Sequence, residues 1–435
     1  MKLLREVKTF WNSLRIPLRA ALMINFFVFG LLGNAVYFSV KYGLLIYLLD
    51  QKKCQEFQHY QDVAFLLTTF FAAPFIGVIG YRRAMRIALR TMGGLALLVP
   101  LFSFFPDILN FVWISKAIFL VTGASFSLVY VACYMLVSDV SPNKRFHAST
   151  IALMEGMFAL GMLFSYVVFG IFVSKQISWY LGYWFAFPMI LGAFWLLKRI
   201  KVNYDLHEYD KAAYQKFTFN LNNLLGNSLV ALFIVCLLLY VFIDKHFSQW
   251  ILDFDKQIRD AASLSDLKYK DIEVSMLVTF GLAASRLFSG ILMQRISPFF
   301  VFAVCTLGAM GCMLLNLNSV ESFSVMGINV IKDTGVTILL LPLTAFFLGP
   351  VMPIVISSIL SQTDLRYQSP LIFIQMVLLF SGNILSTFLS DMIFENFSQK
   401  VSYSFTLIPI SLIFVFFSLF YFDIRQNQET ESYAQ

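Results

Sequence analysis

The chain has 435 residues, of which 59% are hydrophobic and 13% charged, and its mean hydropathy is +0.75. That composition excludes an ordinary soluble domain, because the repeated apolar runs have the length of roughly 20 residues that carries a helix across about 30 Å of hydrocarbon. The net charge of +7 is spread over short turns, where membrane topology and anionic lipid account for it, so nucleic acid is not expected as a partner.

Twelve membrane helices are read along the chain, at residues 20–49, 60–80, 87–105, 109–138, 148–174, 180–198, 224–252, 273–294, 299–317, 336–361, 369–394 and 402–423. A polar, basic stretch precedes the first, which is too long for the apolar core of a cleaved signal and is expected to remain as a helix. Lys2, Arg5, Lys8, Arg15 and Arg19 precede this span, and Arg82, Arg83, Arg86 and Arg90 follow the second. Lys144 and Arg145 follow the fourth, and Lys198, Arg199, Lys201, Lys211 and Lys216 follow the sixth; Arg295, Arg366 and Arg425 continue the series. More than half of the 32 Lys and Arg residues thus share one side, which places that side and both termini in the cytoplasm. The outer loop from Asp253 to Asp271 is an exception, its lysines and Arg259 being offset by Asp255, Asp260 and Asp266. A multi-pass protein of a bacterial inner (plasma) membrane is expected.

The chain also repeats itself. Gly77 and Arg82 close one apolar run as Gly290 and Arg295 close another, and Arg145-Phe146 and Arg366-Tyr367 each open a long apolar helix. Two pseudo-symmetric halves follow, a six-helix half over residues 1–200 and a second over 224–435, joined by a cytoplasmic linker at 201–223 that is rich in Asp, Lys, Tyr and Asn. Repeated halves are how many secondary transporters are built. Pro350 and Pro353 fall within the tenth span, where neighbouring helices absorb the lost backbone bonds, and they are expected to mark a bend.

No enzyme chemistry is legible. Cys54, Cys133, Cys236, Cys305 and Cys312 have no metal or redox spacing, the four histidines are scattered, and there is neither a phosphate-binding loop nor a nucleophile motif, so no cofactor and no metal is expected.

Function therefore rests on ionisable residues inside apolar runs, which are expensive there and face a cavity or a partner. Lys41 and Asp244 lie about 12 Å from the outer ends of spans one and seven, and Glu155 and Arg286 about 13–15 Å from the inner ends of spans five and eight. Gln375 matches the depth of Glu155 in the second half, and Tyr37 lies one turn before Lys41. Each also has a structural reading. Lys41 can snorkel, Asp244 can pair with Lys245 or His246, Glu155 and Arg286 can tie helices together, and Gln375 can hydrogen-bond between helices.

The twelve spans in two halves, the basic turns after spans two and eight, and Asp139 with Arg145 around the turn after span four resemble the major facilitator superfamily over the whole chain. The family's usual acidic residue after the glycine is absent, with Gly80-Tyr81-Arg82-Arg83 in one half and Gln294-Arg295 in the other. Gly33-Asn34-Ala35-Val36-Tyr37-Phe38-Ser39-Val40-Lys41 looks like the first helix of the organophosphate:phosphate antiporter branch, where a basic residue faces the phosphate, and Gly349-Pro350-Val351-Met352 resembles that branch too. That branch carries an arginine six residues before a tryptophan in span seven, where this chain has Asp244 ahead of Trp250.

The resemblance implies an all-α membrane protein that moves a small polar organic anion or zwitterion by alternating access through a central site between its halves. Substrate contacts are expected at Tyr37, Lys41, Asp244 and Gln375. Coupling to protons or gating is expected at Glu155, Arg286 and Asp244, with Glu155 and Arg286 forming a bridge that opens and closes. Cytoplasmic gate turns are expected at Gly77, Arg82, Asp139, Arg145, Gly290 and Arg295. Burial favours the neutral form of a carboxylate, which is how a proton could be loaded outside and released inside. The expected partners are the solute, protons and the lipid bilayer, and the chain is expected to be monomeric. A transporter-like sensor is the alternative, and an efflux pump the third reading.

Overall fold

The computed structural model describes residues 16–47, 51–101, 112–141, 143–174, 181–199, 213–262, 274–317, 319, 322–325, 328–331 and 334–433. The thirteen helices that make up its apolar spans among these residues are α1 (Ile16–Tyr47), α2 (Gln51–Ile79), α3 (Tyr81–Leu101), α4 (Val112–Met135), α5 (His147–Ser174), α6 (Gly182–Arg199), α7 (Ser228–Ala262), α8 (Val274–Leu292), α9 (Pro298–Asn316), α10 (Thr334–Leu348), α11 (Val351–Gln362), α12 (Leu365–Asn396) and α13 (Leu407–Tyr433). Among the described residues nine stretches are long and apolar enough to cross a membrane, with shorter apolar helices at Leu18–Gly33 and Tyr183–Lys198. Helix is the only backbone form that satisfies its own polar groups along such runs. The chain is therefore an integral, multi-pass membrane protein. Its thirteen helices fit the twelve expected spans because α10 and α11 are two pieces of one span, Gly335–Gln362.

Several boundaries move outward from their expected places. Helix α2 starts at Gln51, ahead of its apolar run, and α7 continues to Ala262, so the first part of the outer loop expected at Asp253 is helical. A helix at Ala213–Leu225 occupies the described part of the linker. The sequence reading contained no strand, whereas the structure has a hairpin between α9 and α10. Its strands, β1 (Ser322–Val325) and β2 (Ile328–Ile331), pair antiparallel with Ser322 opposite Ile331, and β2 packs against α7. The hairpin is an addition outside the spans, and its first strand has the alternating Ser322-Phe323-Ser324-Val325 pattern that suits a strand.

The chain forms two compact units, residues Met1–Asn222 with Leu365–Met376, and residues Asn223–Asp364 with Val377–Gln435. In the first, α1 packs on α5 and α6, α2 on α4, and α3 on α4 and α6. Gly30 and Gly161 let α1 and α5 touch backbone to backbone, since a Cβ on Gly30 would collide with the Phe158 carbonyl and one on Gly161 with the Phe27 carbonyl. The start of α12 belongs to this unit, where Gln368 Nε2 donates to Ser138 Oγ at 2.8 Å and Ser369 Oγ to the Ala73 carbonyl at 2.8 Å. In the second unit α7 packs on α11 and α13, α8 on α10, and α9 on α10 and α13. Spans 1–6, 2–4, 3–4 and 3–6 of the first half thus have counterparts in spans 7–12, 8–10, 9–10 and 9–12 of the second.

Candidate functional site

In the first unit the polar centre is Glu155 on α5, only 3% exposed. Tyr130 and Tyr134 lie four residues apart on α4 and therefore share one face. Both hydroxyls donate to Glu155 Oε1, Tyr134 at 2.7 Å and Tyr130 at a shorter separation. The two rings stack with centroids 4.9 Å apart. Phe26 of α1 closes on both, at 5.2 Å from Tyr130 and 6.1 Å from Tyr134, and Phe29 and Phe65 approach Tyr130 at 5.7 Å and 6.1 Å. The result is a carboxyl group held by phenols inside an aromatic shell. A tyrosine hydroxyl can donate or accept, so this shell fits both the carboxylate and the carboxylic acid.

Gln375 lies in the same unit, 1% exposed, and its Nε2 has no hydrogen-bond partner. A buried donor without a partner is unusual and calls for an explanation.

In the second unit Arg286 on α8 is buried. Its Nε donates to the Gly349 carbonyl at 3.2 Å and its Nη2 to the Tyr240 hydroxyl at 3.4 Å. The sequence explains this use. An α-helix would pair the Gly349 carbonyl with the amide of residue 353, but Pro353 has no N–H. Gly349 itself leaves no room for a side chain, because a Cβ there would strike Ser285 Oγ. The bend expected from Pro350 and Pro353 is present as the break between α10 and α11, and Arg286 serves as its hydrogen-bond donor.

The remaining expected residues fall as follows. Tyr37 and Lys41 lie on α1, with their side chains outside the described residues, as are those of Asp139 and Arg145. Asp244 is exposed on α7, whereas His246, two positions on, is fully buried. The pairing of Asp244 with His246 does not occur, because residues two apart on a helix do not face each other. Instead His246 Nε2 bonds the Ser402 carbonyl at 2.8 Å and Nδ1 the Ser390 hydroxyl at 3.0 Å. Gly77 lies in the last turn of α2, and Gly80, with a φ of 83°, turns the chain into α3. Arg82 then donates from Nε and Nη2 to the Leu197 carbonyl at 3.0 Å and 2.9 Å, and from Nη2 to that of Lys198 at 3.3 Å, satisfying carbonyls at the end of α6. Gly290 is buried in α8 and Arg295 is exposed beyond it. The partners described for Glu155 and Arg286 each lie within one unit, Tyr130 and Tyr134 for the first and Gly349 and Tyr240 for the second.

Sequence reasoning missed Tyr130 and Tyr134. The signal was available in their four-residue spacing within a span, but nothing in it ties them to a carboxylate on another helix.

The family model for the Major Facilitator Superfamily matches residues 55–387. The chain belongs to the major facilitator superfamily. Solved members of the superfamily share its fold. An outward-conformation structure of the transporter FucP has a TM-score of 0.71 at 14% identity, covering 92% of this chain and 98% of its own. A second structure, of a variant of the E. coli fucose:proton symporter FucP, gives 0.69 at 15% identity, with 93% and 98% covered. The proton:xylose symporter XylE gives 0.65 at 12% identity, with 93% and 95% covered. No curated protein matches the sequence.

Proposed function

We propose that this superfamily member is a secondary active transporter that moves a small polar organic anion or zwitterion by alternating access, driven by protons that bind Glu155. The observation that carries the reading is the burial of Glu155 in a membrane span with two tyrosine hydroxyls on one of its oxygens. Ionisable groups at such depth are costly and mark ion and proton pathways. FucP and XylE, which share the fold, bear names that describe proton symport, and this supports the coupling ion without fixing the solute.

The solute class follows from this chain's own residues. Lys41 is proposed to meet the acid of the solute and Asp244 its amine, with Tyr37, four residues earlier in the sequence, as a further contact. The unpartnered Gln375 amide supplies a hydrogen-bond donor. Arg286 takes the role of shaping the tenth span through Gly349.

The test starts with a thermal-shift screen of the purified protein against phosphate esters, amino acids and carboxylates. Solutes that raise the melting temperature then go to flux assays in proteoliposomes with an imposed pH gradient. Accumulation of the solute only when the gradient is inward supports the proposal. Binding without any flux would instead identify a sensor.

A further inference from the structure

We infer that the outer face formed by α3 and α6 binds the headgroup of an anionic phospholipid through Arg83, Arg86, Arg90 and Lys198. The inference is independent of the transport reading. Helix α3 opens with Arg82, Arg83, Arg86 and Arg90 and α6 ends with Lys198 and Arg199, and neither helix contains an acidic residue. Arg82 is engaged with the carbonyls of α6, and Arg86 Nε bonds the Arg82 carbonyl at 3.2 Å.

Arg83, Arg90 and Lys198 are exposed. Phe194 brings two of these cations together from the two helices, with Arg90 5.5 Å and Lys198 5.0 Å from its ring centroid. Like charges gathered on one ring repel, and an anion between them removes that cost. The surroundings say which anion. Ile87, Leu98, Leu191 and Trp195 are exposed on the same two helices, an apolar surface suited to acyl chains. Arg90 lies about 13 Å along α3 from its first residue, a depth from which a long side chain reaches the phosphate level. Cations at the polar end and bare hydrocarbon beside them describe a lipid with a phosphodiester headgroup, and basic pockets between membrane helices are known to hold such headgroups.

The experiment titrates the purified, detergent-solubilised protein with phosphatidylglycerol and with phosphatidylcholine and counts bound lipids by native mass spectrometry. A preference of about tenfold or more for phosphatidylglycerol is expected, lost in the triple variant Arg83→Gln, Arg86→Gln, Arg90→Gln and unaffected by millimolar inorganic phosphate. Should the triple variant not fold, the pair Arg90→Gln and Lys198→Gln, both at exposed positions, is expected to lose most of the same preference. An unchanged preference in a folded variant, equal binding of both lipids by the parent, or displacement by inorganic phosphate each overturns the inference.

Discussion

Arg286 donates to the carbonyl of Gly349 at 3.2 Å, at the point where Pro353 deprives that carbonyl of its helical partner. A charge buried in a span is thus used to complete a broken helix. Removing it as Arg286→Leu is expected to cost about 1–3 kcal/mol, the range for leaving a buried polar group unsatisfied. Adding Pro353→Ala supplies an amide to Gly349 and is expected to recover part of the loss. Thermal unfolding of the single and double variants checks this, and a double variant no more stable than Arg286→Leu contradicts it.

The buried imidazole of His246 joins three segments. Because the Ser402 carbonyl can only accept, Nε2 carries the hydrogen, and Nδ1 of the neutral ring receives the Ser390 hydroxyl. His246→Leu leaves the Ser390 hydroxyl without the ring and the Ser402 carbonyl with only the Phe405 amide at 3.3 Å, and the loss is expected to cost about 1–3 kcal/mol. Ser390→Ala removes one bond and is expected to cost less. Equal melting temperatures for parent and His246→Leu would rule out the joint.

The close approach of α1 and α5 leaves no volume for a side chain at Gly161. Gly161→Leu places carbon against the Phe27 carbonyl, and inserting extra methylenes into a packed site costs about 1–3 kcal/mol or more. Size-exclusion profiles of the solubilised protein are expected to show loss of the monodisperse peak for Gly161→Leu but not for Gly192→Leu, since nothing lies within contact of a Cβ at Gly192.

Much of the fold was legible in the sequence, because in a bilayer apolar length alone decides where helices run. The broken tenth span could be read for the same reason, as proline removes a donor wherever it occurs. What was not legible depends on partners distant in sequence. Glu155 stood out by its charge, yet its tyrosines lie 21 and 25 residues away on another helix. His246 appeared as a neighbour of Asp244, and only its rotation about α7 sends it to Ser390 and Ser402 instead. The extension of α7 to Ala262 was hidden because its last turns are polar, and polarity reads as loop when apolar length is the measure. The hairpin, four residues to a strand, lay below the scale at which spans were sought.

The most direct measurement is solute accumulation in proteoliposomes under an inward proton gradient, comparing the parent with Glu155→Gln. Tyr130→Phe and Tyr134→Phe serve as companions that keep the carboxyl but remove one donor each. The parent is expected to concentrate solute more steeply as the external pH falls, because protons bound on that side supply the drive. Glu155→Gln should still exchange solute for solute at a comparable rate while losing accumulation and its pH dependence. Accumulation by Glu155→Gln equal to the parent, with the same dependence on pH, contradicts the account.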